Sequence, residues 1–109
     1  MSKVQFVNES QFAGEVENAE GAVLVDFTAS WCPPCKALAP VLESVSARYE
    51  GRAKVVKVDA DENANLAARY GVTGLPNLLF FRDGEIVNQA VGFQSEEKLA
   101  ALLDKVIES

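Results

Sequence analysis

The feature that most constrains the fold is the stretch from Ala22 to Val58, in which two strand-length apolar runs stand on either side of one long helical pattern. Ala22 to Thr28 (AVLVDFT) is a nearly continuous apolar run, as expected for a strand covered on both faces. From Trp31 onward the spacing changes: Leu38, Val41, Leu42, Val45 and Tyr49 share one face of a helix that reaches about Tyr49. Pro40 is expected to kink it. Gly51 ends the pattern, and Ala53 to Val58 (AKVVKV) reads as another strand. Strand, helix and strand with this much chain between them call for a right-handed parallel crossover, which makes the fold class α/β.

The flanking segments add edges and covers. Lys3 to Val7 alternates weakly and reads as a short strand, and Asn8 with Gln11 three residues on fits a capping box opening a helix to about Glu17. After the Glu20-Gly21 break and the central unit, Asp61 to Tyr70 suits a short helix stopped by Gly71. Leu78 to Arg82 and Glu85 to Val91 are β-rich runs joined through Asp83-Gly84, the signature of a hairpin. Ser95 followed by Glu96 and Glu97 starts a closing helix whose buried stripe is Leu99, Leu102, Leu103 and Val106. At 109 residues with 49% apolar side chains, residues 1–109 are expected to form one domain.

Charge and composition exclude several functions. A net charge of -6 would repel a phosphate backbone, so nucleic acid is not an expected partner. No apolar run approaches the roughly 20 residues of a membrane helix, and the start MSKVQFVNESQF lacks the core of a leader, so no membrane association and a cytoplasmic location are expected. With no histidine, neither Ser-His-Asp triads nor Cys-His pairs can be built. The two cysteines, Cys32 and Cys35, are three positions apart at a helix start, where they can close a small disulfide ring and where the helix N-terminus favours thiolate. Cys32 is expected at the cap, open to solvent and nucleophilic, and Cys35 one turn inward, shielded and resolving. A zinc half-site or two inert core cysteines are the bland alternatives. Zinc would need further Cys, His or carboxylate ligands, so no metal is expected, and Lys36 after Cys35 excludes covalent haem attachment. Asp26 lies inside the apolar run, where burial would raise its pKa; Lys57, in the similar VVKVD run, reaches it if the two strands are neighbours. A structural ion pair is the bland reading of both.

Two long segments, VDFTASWCPPCK and VVKVDADENANLAARYGVTGLPNLLFFRDGE, resemble the thioredoxin family, and with Gly92 the resemblance covers essentially the whole chain. It implies a thioredoxin fold, a central mixed β-sheet flanked by helices, acting without a cofactor as a monomeric protein disulfide reductase. Its partners would be disulfide-containing protein substrates and a thioredoxin reductase that regenerates it. The resemblance puts Asp26 and Lys57 on neighbouring strands beside Cys32 and Cys35, and makes the X-Pro bond at Pro76 cis. Trp31, Gly74, Leu75, Pro76, Val91, Gly92 and Phe93 would then surround the sulfurs as a substrate-binding surface, with Trp31 also tuning the redox pair. Three positions depart from the usual pattern. Pro33-Pro34 replaces Gly-Pro between the cysteines, Asn77 stands where threonine is usual, and Thr28 where many members have tryptophan. The two prolines bear on the redox potential, because Pro33 lacks an N–H beside the sulfurs.

Overall fold

The computed structural model describes residues 4–109, so Lys3, at the start of the expected first strand, lies outside the described residues. The chain runs β1 (Gln5–Phe6), α1 (Glu9–Phe12), β2 (Ala22–Thr28), α2 (Pro33–Arg48), β3 (Ala53–Asp59), α3 (Ala64–Arg69), β4 (Asn77–Arg82), β5 (Glu85–Val91) and α4 (Glu96–Glu108). The five strands make one sheet in the order β1-β3-β2-β4-β5. β3 pairs in parallel with both β1 and β2, while β4 runs antiparallel to β2 and β5. The fold is α/β, as the strand-helix-strand pattern predicts, with the mixed sheet that the family resemblance implies.

Local chemistry explains most boundaries. The Asn8 side chain accepts the Gln11 N–H at 3.0 Å and the Gln11 side chain accepts the Asn8 N–H at 2.9 Å, so the capping box forms. Beyond Phe12 the helix widens into a π-helical segment, Ala13–Glu17, closed by the Asn18 N–H donating to the Ala13 carbonyl at 2.8 Å. The helix thus ends where expected but with a wider last turn. α2 continues through Pro40 without a break. α3 starts later than the sequence suggests: the Asp59 carboxylate accepts the N–H groups of Asp61 and Glu62, a local turn that holds these residues out of the helix. Asp83 (φ 50°) and Gly84 (φ 85°) both adopt left-handed backbone, which fits the tight β4-β5 turn.

The alternation of side chains along the strands divides the core into two layers. One face of the sheet, with Ala22, Leu24, Val55, Leu78 and Phe80, packs against Leu38, Leu42, Val45 and Tyr49 of and just after α2 and against Leu99, Leu103 and Val106 of α4. The other, with Val23, Val25, Phe27, Val56, Val58, Leu79 and Phe81, packs against Phe12 and Val16 and against Leu66 and Ala67 of α3. Asp26 and Lys57 fall in the first phase of this alternation, so they face the α2 side.

Candidate active site

β2 delivers the chain through Ala29 to the start of α2, where Cys32 is the N-cap (φ -96°, ψ 108°). A residue with extended backbone at that position turns its side chain back toward the first-turn amides. Here the cap is a sulfur: Cys32 Sγ accepts the Cys35 N–H at 3.3 Å. Pro33 and Pro34 occupy the first two helical positions, where their fixed φ suits the helix, and both lack an N–H. The Cys35 amide is therefore the one first-turn donor left within reach of the sulfur.

Cys32 and Cys35 are joined by a disulfide, with Cα atoms 5.2 Å apart. Both residues are 3% exposed, which corrects the expectation that Cys32 would be open to solvent and Cys35 alone shielded. The cause is tertiary: Ala29 and Leu75 pack with the two cysteines into a small apolar cluster of its own. Leu75 comes from the loop before β4, more than forty residues beyond Trp31 in the chain, and local spacing carries no sign of it.

Behind the disulfide, Asp26 is 1% exposed and its Oδ1 has no hydrogen-bond partner. Burial pushes its carboxyl up from 3.8 to about 7, and the positive charge of Lys57 offsets only part of that rise. Asp26 and Lys57 are opposite one another in the parallel β2-β3 register, as the sequence reading required. A cavity of about 240 Å³ connects them with the helix, lined by Phe6, Thr28, Cys35, Lys36 and Asp59 among others. A carboxyl that titrates near neutrality and a cysteine of the disulfide thus line one cavity.

The expected docking residues gather at this end of the sheet. The Leu75-Pro76 bond is cis, and the Pro76 carbonyl accepts the Gly92 N–H at 2.8 Å, which ties the two loops together. An added Cβ on Gly74 would lie 3.4 Å from Val91 Cγ1, so the third segment lies against the second. Val91 and Phe93 are large apolar side chains left exposed. Gly92 has φ 91°, a conformation that favours glycine, and the space beside it is open. Trp31 is 64% exposed, and its indole N–H donates to Asp61 Oδ2 at 2.7 Å. It walls an open cleft of about 340 Å³ shared with Leu75, Val72 and the alanines of α3. Thr28 lines the Asp26 cavity, whereas Asn77 is buried with its Oδ1 accepting from Gln89 Nε2 at 3.1 Å, a contact inside the β4-β5 pair. Sequence reasoning missed Asp61, Ala29 and Phe6. Asp61 sits in the acidic VDADEN segment that the sequence reading quoted, but nothing in it signals the tryptophan thirty residues earlier.

The thioredoxin family model matches residues 3–105. Thioredoxins of Staphylococcus aureus, among them those of strains Mu50, N315 and COL, are each 50% identical to this chain over 99 residues, which is 91% of this chain and 93% of theirs. The chain belongs to the thioredoxin family. Thioredoxins are protein-disulfide oxidoreductases, and the Cys32–Cys35 disulfide at the head of α2 is the redox-active pair of this one. Among the described residues no cluster of His, Cys, Asp or Glu is arranged to hold a metal ion, and no helix is long and apolar enough to cross a membrane.

Proposed function

We propose that this thioredoxin-family chain is a cytosolic, monomeric reductant of protein disulfides, regenerated by a thioredoxin reductase. The observation that carries the reading is the Cys32–Cys35 disulfide capping α2 in front of a buried carboxyl that titrates at about 7. The structure corresponds to the oxidised form, the state reached after a substrate has been reduced.

In the forward direction the reduced chain holds a Cys32 thiolate, favoured by the helix N-terminus and by the Cys35 N–H. Cys32 attacks one sulfur of the substrate disulfide; that S–S bond breaks, the first substrate sulfur leaves as a thiolate and takes a proton, and a mixed disulfide forms. Cys35 then gives its proton to the Asp26 carboxylate and attacks Cys32 Sγ. The mixed disulfide breaks, the second substrate sulfur leaves, and the Cys32–Cys35 bond closes. Two electrons have passed to the substrate, and the reductase returns two to the pair. Lys57 limits how far burial raises the Asp26 pKa, so the acid remains partly ionised near neutral pH. Trp31, Gly74, Leu75, Pro76, Val91, Gly92 and Phe93 form the uncharged surface on which the substrate settles, with Trp31, Val91 and Phe93 exposed, Gly74, Leu75 and Gly92 partly exposed, and Pro76 buried beneath them. Pro33 and Pro34 tune the pair by removing amide donors from its first turn.

Turnover of insulin disulfides in the presence of a thioredoxin reductase tests this reading, with loss of turnover in Cys32→Ser. A chain that no reductase can reduce, yet that oxidises thiols when supplied with an oxidant, would reverse the direction proposed.

A further inference from the structure

Phe6 belongs to β1, the edge strand of the sheet, and its ring is 59% exposed. An exposed phenylalanine needs a reason only if something is built on it. In register Phe6 is opposite Lys57, and Lys57 is in turn opposite Asp26, so the three side chains stand in a row across β1, β3 and β2. The Lys57 ammonium lies 4.8 Å from the Phe6 ring centroid, within cation-π range. All three residues line the same cavity. Asp26 Oδ1, by contrast, receives no hydrogen bond, although the lysine is its direct cross-strand neighbour. The ammonium rests on the ring rather than on the carboxyl.

We propose that Phe6 is a positioning residue for the proton-transfer step, holding the Lys57 ammonium on its ring and so keeping it from closing an ion pair with Asp26. The inference rests on the role given above to Asp26 as the acceptor of the Cys35 proton. An ion pair to this buried carboxyl would stabilise the carboxylate and make it a weaker base toward a thiol. To form it, Lys57 must leave the ring, which costs what the cation-π contact is worth at a partly exposed position. That converts to about half a pH unit of Asp26 titration, roughly 0.7 kcal/mol. The other titratable groups lining the cavity are Lys36 and Asp59, Cys35 being held in the disulfide and without a proton to lose; across β4 the neighbour of Asp26 is the apolar Leu78. None of these changes when the ring is removed.

The test is the carboxyl NMR titration of Asp26 in the oxidised protein, its signal identified by loss in Asp26→Asn. Phe6→Leu, which keeps an apolar side chain without the ring, is expected to lower the Asp26 midpoint by about half a unit, and Phe6→Tyr to leave it in place. In a Lys57→Gln background Phe6→Leu should no longer move it. No shift in Phe6→Leu, an equal shift in Phe6→Tyr, or a shift that persists without Lys57 would overturn the proposal; the last would mean that the ring merely excludes water. The pH profile of mixed-disulfide resolution separates this inference from the one beneath it. A profile that follows the NMR midpoint in Phe6→Leu supports both. A profile that stays fixed while the midpoint moves as expected supports the ring's hold on Lys57 and removes Asp26 from the proton transfer.

Discussion

Replacing Asp26 by asparagine should shift stability toward the oxidised variant fold progressively as pH rises, from a net cost near pH 4 to a net gain near pH 8. In the folded protein the carboxyl titrates at about 7, against 3.8 for an unburied aspartate. Below both values the group is protonated whether the chain is folded or not, and it contributes no pH dependence. Between them the folded state holds a proton that the unfolded state has released, so stability falls as pH rises, and the loss is complete above about 7. The gap is about three pH units; at about 1.4 kcal/mol per unit the burden on the wild-type fold at pH 8 is about 4 kcal/mol. Asparagine has nearly the same shape and does not titrate. Its amide in this dry site carries its own cost, of about 1–3 kcal/mol, but that cost is the same at every pH. All other titrations cancel between the two proteins. Urea unfolding of both oxidised proteins from pH 4 to pH 8 therefore isolates the Asp26 contribution as the change in their stability difference, expected to favour the variant increasingly toward pH 8 by about 2–4 kcal/mol over the range. A difference that stays flat with pH would show that Asp26 is not held protonated by burial. A variant that becomes relatively less stable toward pH 8 would show a carboxylate that the fold uses as a structural ion.

For the redox pair, Cys32→Ser should abolish disulfide reduction while Cys35→Ser accumulates stable mixed disulfides, readable by non-reducing electrophoresis; trapping by Cys32→Ser instead would exchange the two roles. Pro33→Gly restores an amide to the first turn of α2 and is expected to shift the equilibrium with glutathione while leaving urea stability within about 1 kcal/mol, and an unchanged equilibrium would make the first proline neutral. At Gly92, where φ is 91° but the space is open, Gly92→Ala should cost about 1–2 kcal/mol of stability with little effect on insulin reduction, whereas Gly92→Trp should slow insulin and spare a small aromatic disulfide. Equal slowing of both substrates by Gly92→Trp would point to a damaged site rather than a blocked surface. At Gly84 an added Cβ would collide with the Glu17 backbone carbonyl oxygen, so Gly84→Ala should destabilise by more than about 2 kcal/mol, in contrast to a mere backbone cost.

What was legible in the sequence was whatever depends on near neighbours. β2 could be read because a strand covered on both faces must be apolar throughout, and its bounds, Ala22–Thr28, are those of the apolar run. The capping box at Asn8 and Gln11, the Asp83-Gly84 turn and the Ser95 cap were readable because each is closed within a few residues. The π-helical turn at Ala13–Glu17 was not, since five residues are too few to separate its period from that of an α-helix. The start of α3 was misplaced because a side chain, that of Asp59, takes the amides that a helix would otherwise use. The depth of Cys32 was misjudged for a different reason: an N-cap is exposed on an isolated helix, and it is Leu75, brought back by the loop before β4, that covers it here. The family resemblance gave Asp26 and Lys57 as neighbours, but Phe6 beside Lys57 follows only from the parallel addition of β1 to the far edge of β3, a pairing of two residues with no signature of its own.

The placement of Asp26 sets stability against chemistry at one atom. A carboxyl with a solvated or ion-paired environment would cost the fold little and would titrate near 4, where it holds its negative charge at every pH the cell offers and is a poor acceptor for a thiol proton. Burial opposite Lys57 raises it to about 7, near the operating pH at which a general base is best poised both to take up a proton and to release it. The instability predicted at pH 8 and the proton transfer proposed for resolution are therefore one effect measured in two ways. Any substitution that relieves the first by letting water or the ammonium reach the carboxylate should weaken the second, and the Phe6 variants, which touch neither cysteine, are the gentlest way to move both together.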